Sequence, residues 1–239
     1  MVSKEIGGKA AAVASPTEQV KFSERFNSFL HANRKLFMAL GVVAVVLVVG
    51  LGVYSMVSSA TFAKSTVALE QLESDYEAWQ KADESGKAAL VPALAEKADA
   101  LVSRYSKRYD GAKATMIKAE LLVSSNDPAG AEKAYASIAD TAPKSHLAPV
   151  ALANAAAVAE NRGDNEAALA YLTRADKAYP EAPGIGRVVL SIGRLNEGMK
   201  QYDKAMEAYN RLIASGIESD WTKLAHDRII LLKSLGLVQ

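Results

Sequence analysis

The sequence predicts an all-α protein in which a single N-terminal membrane-spanning helix is followed by a solenoid of helical hairpins. Two observations carry this reading. Residues 36 to 57, "LFMALGVVAVVLVVGLGVYSMV", lie in a stretch with no charged residue between Lys35 and Lys64. Further on, "NDPAGAEKAYASIADTAP" (126–143), "GDNEAALAYLTRADKAYP" (163–180) and "KQYDKAMEAYNRLIASGI" (200–217) superpose at a constant shift of 37 residues.

The first 14 residues, with Gly7, Gly8 and an Ala-rich tract, show no apolar period and are expected to lack a packed structure. Ser15-Pro16-Thr17-Glu18 then reads as a helix start, with Ser as N-cap, Pro at the first helical position and Glu completing a capping box. Phe22, Phe26, Phe29 and Leu30 fall at i, i+4, i+7 and i+8, on one helix face, with Lys21 and Arg25 beside it. Residues 1–35 therefore form an arm with a short amphipathic helix. Such a helix suits the membrane surface, a membrane partner, or simple entry into the span.

About 20 apolar residues cross a hydrocarbon core of roughly 30 Å, so residues 36–57 are long enough. In lipid the backbone must bond within the segment, which makes even this Val-rich run helical. Ser58 and Ala60 offer a small-x-small cleavage pattern, but signal peptides have shorter apolar cores and shorter leaders than the 35 residues found here. An uncleaved anchor is the better reading. Arg34 and Lys35 adjoin the span, and the arm carries six basic against three acidic residues; of the totals of 28 and 27, this leaves 22 basic and 24 acidic beyond it. By the positive-inside rule the arm stays in the cytoplasm and the rest is exported. The absence of cysteine is compatible with export and decides nothing.

Residues 58–110 read as a membrane-proximal helical hairpin, with helices over about 60–82 and 88–108 and Pro92 near the second start. Three repeats of period 37 occupy 111–218. Ala131, Ala168 and Ala205 correspond, as do Tyr135, Leu172 and Tyr209 four residues later. A small residue four before a large one lets a neighbouring helix approach at the small position while the large one fills the space beside it. Upstream of each segment lies a partner helix, over roughly 112–125, 147–161 and 184–198, with Gly193 at a close-contact position where Ala119 and Ala156 stand earlier. Residues 219–239 then supply a capping helix, expected to turn a polar face outward.

The chain thus resembles tetratricopeptide repeats, whose period is about 34 residues; the three extra residues per unit imply a longer loop between repeats. The resemblance implies a tetratricopeptide-like helical-hairpin solenoid whose first helices line a protein-binding groove. The candidate groove residues are then Lys113, Met116 and Glu120 in the first repeat, Asn154 and Asn161 in the second, and Arg187, Leu190 and Arg194 in the third. Met116 and Glu120 stand where a C-terminal-carboxylate clamp needs a basic residue and an Asn, which speaks against a dedicated receptor of that kind.

Catalysis is not expected. His31, His146 and His226 are scattered, there is no cysteine nucleophile, and no metal-binding, phosphate-binding or serine-hydrolase motif is present. The acidic residues mostly neighbour Lys or Arg and read as solubilising charge. No metal and no cofactor are expected, and the slightly acidic exported part argues against nucleic acid.

The whole layout resembles the YfgM-like membrane-anchored tetratricopeptide proteins: the arm "EQVKFSERFNSFLHANRKLF", one span, a charged helix, then "RYDGAKATMIKAELLVSSNDPAGAEKAYASI" and two more repeats. That resemblance implies a bacterial inner-membrane protein with a periplasmic repeat domain beside the Sec translocon. Its implied partners are translocon subunits, a periplasmic chaperone and exported chains. The alternative is a scaffold subunit of an envelope machine, such as a motor-associated collar.

Overall fold

The computed structural model describes the backbone of residues 16–216 and 219–239 and side chains from Glu24 onward. Among the described residues all regular structure is helical. These residues form ten helices: α1 (Pro16–Ala32), α2 (Arg34–Lys81), α3 (Glu84–Tyr105), α4 (Tyr109–Ser124), α5 (Pro128–Thr141), α6 (Leu147–Asn161), α7 (Asn165–Ala178), α8 (Ile185–Gly198), α9 (Tyr202–Ala214) and α10 (Asp220–Ser234). The chain divides into two compact units, one ending at Thr61 and one beginning at Phe62.

The first unit holds α1 and the first part of α2. Ser15, expected as the N-cap of α1, and the side chains of Glu18 and Phe22 lie outside the described residues. Every side chain from Leu36 to Val57 is exposed. A run this apolar and this exposed is long enough to cross a membrane. The span and the helix after it, read from sequence as two segments, are one helix. No Gly or Pro interrupts 58–66, and the hydroxyls there bond back into the helix, Thr61 Oγ1 to the Val57 carbonyl at 2.7 Å and Thr66 Oγ1 to that of Phe62 at 3.0 Å. α3 begins four residues before the expected 88, because Asp83 caps it by accepting from the Gly86 N–H at 2.7 Å.

In the second unit the 37-residue period is visible as geometry. The turns inside the hairpins centre on Asn126, Gly163 and Lys200, spaced by 37, all with positive φ (60°, 81° and 60°). Each is the C′ residue of a Schellman motif. Asp127, Asp164 and Gln201 donate their N–H groups to Leu122, Ala159 and Asn196 at 2.8–2.9 Å, satisfying carbonyls the preceding helix leaves open. Asp127 and Asp164 then cap α5 and α7 through their side chains, whereas Gln201 makes no such bond. Within a hairpin the connections span 125–127, 162–164 and 199–201; between repeats they are longer, 142–146 and 179–184. The extra residues per unit therefore sit between repeats.

Packing follows the same register. Ala114, Ala151, Val188 and Ala225 are buried at spacings of 37, and so are Leu121, Val158, Leu195 and Leu232. These are equivalent positions on α4, α6, α8 and α10, so α10 is the first helix of a fourth unit. On the side where α4, α6 and α8 receive their second helices, α10 carries His226, Ile230 and Lys233, all exposed. Charge and a bulky β-branched side chain stand there in place of the small residues Ala119, Ala156 and Gly193. α4 joins two cores: Ala114, Ile117 and Leu121 pack with Leu69, Leu72, Leu94 and Leu101, while Ala112, Met116 and Ala119 belong to the repeat core. A buried polar tie adds to the first contact, Ser65 Oγ donating to Asp110 Oδ2 at 2.8 Å.

Ala131, Ala168 and Ala205 are fully buried, and Tyr135, Leu172 and Tyr209 are within 4% of it. At Gly193 the approach is close enough that an added Cβ would stand 2.2 Å from Cε1 of Tyr209. Gly193→Ala should therefore destabilise the solenoid by about 1–3 kcal/mol despite the better helix propensity of alanine. In a Tyr209→Leu background the same change should be near neutral. A denaturation double-mutant cycle checks this, and additive effects would refute the packing argument. Lys200→Gly, at the hairpin turn where a side chain is held in the left-handed region, should raise stability by about 1 kcal/mol in the same assay.

Candidate binding surface on the first helices

Packed against its own second helix and against the preceding unit, each first helix keeps one side open. On α4 that side carries Lys113 and Glu120, and adding 37 gives Val150 and Ala157 on α6, Arg187 and Arg194 on α8, and Leu224 and Leu231 on α10. None of these eight is buried, and Val150, Leu224 and Leu231 are 45%, 45% and 40% exposed. Between them run Met116, Ala153, Leu190 and Asp227. Two shallow clefts of about 120 Å³ flank Arg187, one toward Ala153, Ala157 and Arg194, the other toward Val150, Asn154 and Pro183.

The candidate groove residues divide into tied and open ones. Met116 is buried in the repeat core. Lys113 pairs with Glu73 of α2 at 3.5 Å. Glu120 accepts from the Tyr76 hydroxyl, also of α2. Asn154 bonds to the hydroxyl of Tyr135. Arg194 clamps Glu160 of α6 with two bonds of 2.6 Å. Arg187 and Asn161 are exposed and Leu190 half-exposed; among the described residues no ion pair engages Arg187. The sequence reading missed Val150, Ala153 and Ala157 in the second repeat, and Leu224 and Leu231 on a helix expected to be polar outward. Extending the 37-residue shift from Lys113 and Arg187 would have found them.

Charges read from sequence as solubilising connect successive units. Arg174 reaches Asp140 and Arg211 reaches Asp176, each at 2.6 Å, joining α5 to α7 and α7 to α9. Glu132, nearly buried, takes Arg162 at 2.6 Å and the Tyr171 hydroxyl at 3.0 Å. Glu197 accepts from Tyr209 at 2.9 Å and pairs with Arg228 of α10. Each exposed pair contributes little, about 0–1 kcal/mol. Their value lies in register, since every one bridges a boundary between helices.

The histidines are separate in space and in role. His146 stacks on Tyr109 at 5.3 Å, ahead of α6, while His31 and His226 are exposed on α1 and α10. Among the described residues no three acidic or histidine side chains converge as a metal site. Larger clefts lie elsewhere: about 760 Å³ between α7 and α9, lined by Leu169, Thr173 and Met199, and about 680 Å³ between the α7–α8 loop, α9 and Trp221.

Residues 27–226 match the family model described as a tetratricopeptide repeat-like domain. The chain belongs to that family. Tetratricopeptide domains generally bind proteins or peptides. A tetratricopeptide repeat protein from Parabacteroides merdae ATCC 43184 is similar in structure, with TM-score 0.51 and 19% identity over 71% of this chain and 60% of that one. MamA is similar at TM-score 0.43 and 14% identity, over 63% of this chain and 82% of that one. The chain spans about 60% of the length of the first of these, and both likenesses concern fold alone. A comparison with curated proteins returns no match.

Burial holds the Glu120 carboxyl above its usual range, and burial together with the Glu120 charge pushes the Tyr135 hydroxyl up to about 12, against the Asn154 hydrogen bond. For a carboxyl raised in the folded state, the stabilising contribution is complete below the unfolded pKa of about 4.3 and is lost as pH rises through the folded value. Glu120→Gln should therefore gain stability relative to the parent as pH goes from 4 to 7. Urea titrations of the detergent-solubilised chain at both values check it, and a constant difference would refute the burial argument.

Proposed function

We propose that this protein is a single-pass, membrane-tethered adaptor of the bacterial inner membrane, its arm cytoplasmic and its repeat domain periplasmic. It binds proteins or chaperones near the Sec translocon during export. The observation that carries the binding half is the open side of the first helices. Toward the C-terminal end it presents Val150, Leu190, Leu224 and Leu231 around an Arg187 that no acidic side chain among the described residues engages. Apolar contacts beside one cation suit a protein segment better than a small ligand. Lys113, Met116 and Glu120, at the other end, are already committed within the fold.

Support for the tether comes from the fully exposed apolar run, from Arg34 and Lys35 beside it, and from the family match, which begins before the run and continues through it. A removable signal would not be expected inside a shared domain. Support for the translocon setting is the YfgM-like order of segments alone.

Two measurements test this. With tags at both ends, the C-terminal tag should become protease-sensitive once the outer membrane is opened, with the full-length mass intact. Photo-crosslinkers at Leu224 and Leu231 in cells should then capture translocon, chaperone or exported chains, whereas one at Ala170 on α7 should not. Leu190→Glu with Leu224→Glu should lower capture at Leu231 at least tenfold without unfolding the solenoid. Capture equal at Leu231 and Ala170 would sink the groove, and protection of the C-terminal tag until the inner membrane is lysed would sink the orientation.

A further inference from the structure

α1 and α2 meet at a single non-helical residue, Asn33, whose side-chain Nδ2 donates to the Phe29 carbonyl at 2.9 Å while its own N–H takes the same oxygen at 3.0 Å. A side chain bonding back into the helical ladder is a recognised cause of a kink. The aromatic rings report the result. Residues eight apart on a straight helix stand about 12 Å apart along its axis, yet the rings of Phe29 and Phe37 meet edge to face with centroids 5.7 Å apart. The chain bends at Asn33, so α1 is not a straight extension of the span.

This bend, with the reading of α2 as the span, decides where the apolar side of α1 goes. Phe37 is the second residue of the apolar run, and Phe29 lies against it. Phe26 is 52% exposed and Phe29 54%. Arg25, Arg34 and Lys35 lie next to these residues in the chain and are exposed, and a cleft of about 430 Å³ at the bend is lined by Leu30, Phe37 and Met38 together with Arg34. Apolar rings continuous with a span and cations at the headgroup level match one partner, an anionic lipid surface. We propose that α1 lies in the headgroup layer of the leaflet where α2 begins. The Phe26–Phe29 side enters the acyl boundary, and Arg25, Arg34 and Lys35 meet lipid phosphates.

The proposal rests on the membrane-spanning reading, and the test separates the two. The chain has no cysteine, so single-cysteine variants of the full chain can carry a nitroxide in vesicles of phosphatidylethanolamine and phosphatidylglycerol. Collision with oxygen and with a water-soluble nickel chelate then gives depth. At Phe26→Cys oxygen should dominate, at Ser28→Cys nickel, and a scan over 24–31 should repeat with helical period. If Phe26→Cys itself disturbs the helix, that period still reports the immersed side. Replacing phosphatidylglycerol by phosphatidylcholine should bring the Phe26→Cys label closer to water. Nickel access throughout, or shielding of Phe26→Cys from both reagents by protein, overturns the proposal, and a depth unchanged by lipid charge overturns its anionic part. A label at Val46→Cys reads the span alone: water access there removes the spanning reading itself, whereas lipid access there with water at 26 removes only the surface helix.

Discussion

The rest of the structure depends on how closely the first helix of each unit can be approached. α4, α6 and α8 are each covered by their own second helix on one side and by the preceding unit on another. Two helices can close on a third only where side chains are small, hence the alanines at 114, 119, 151 and 156 and the glycine at 193. Tyr135, Leu172 and Tyr209 then fill the space beside those positions. Because two sides are consumed by packing, only one remains for anything else. The open face is what this constraint leaves, which is why it inherits the 37-residue spacing of the core.

Charge completes what small residues begin. Alanine-rich contacts are close but shallow, and they do little to prevent one helix from sliding a turn along its neighbour. The bridges from Arg174 to Asp140, Arg194 to Glu160, Arg211 to Asp176 and Arg228 to Glu197 each cross a helix boundary and are satisfied in one register. Individually weak, they favour one register over its neighbours, where the same charges would stand apart. They also engage Arg194 on the open face, and so leave Arg187 as its exposed counterpart with no acidic partner among the described residues.

Much of this was legible in the sequence, and the remainder failed for identifiable reasons. The 37-residue shift, the small and large pairs and the hairpin turns are local patterns, and they appear in the structure where the pattern placed them. The open face was read in register on α4 and α8 because Lys113, Glu120, Arg187 and Arg194 contrast with their apolar neighbours. On α6, "LAPVALANAAAVAEN", alanine stands on every side and marks no face, and Asn154, assigned by likeness to tetratricopeptide units, lies one position from Ala153. On α10, the charges in "SDWTKLAHDR" suggested a polar outer face; His226 and Lys233 do stand exposed at the positions where α4, α6 and α8 receive their second helices, but Leu224 and Leu231 lie open on the other side. Ion pairs 31 to 35 residues apart could not be read, since their partners are set by how helices stack and not by spacing along one helix.

These features make the two ends of the open face unequal. At the α4 end, α2 supplies Glu73 and Tyr76 to Lys113 and Glu120, so an incoming segment there would have to break contacts the fold already makes. At the α8–α10 end no described side chain competes in this way for the exposed leucines and Arg187, so a segment proposed to bind there would displace none of the contacts described. Buried area alone does not set affinity, and this face need not bind tightly to be occupied. If the chain is tethered as proposed, anchoring holds the face near whatever emerges at the membrane, and a high local concentration lets a weak contact be occupied often and released quickly. An open face at one end and a closed, structural one at the other confine any binding segment to the C-terminal half of the solenoid, which is the asymmetry the adaptor proposal uses.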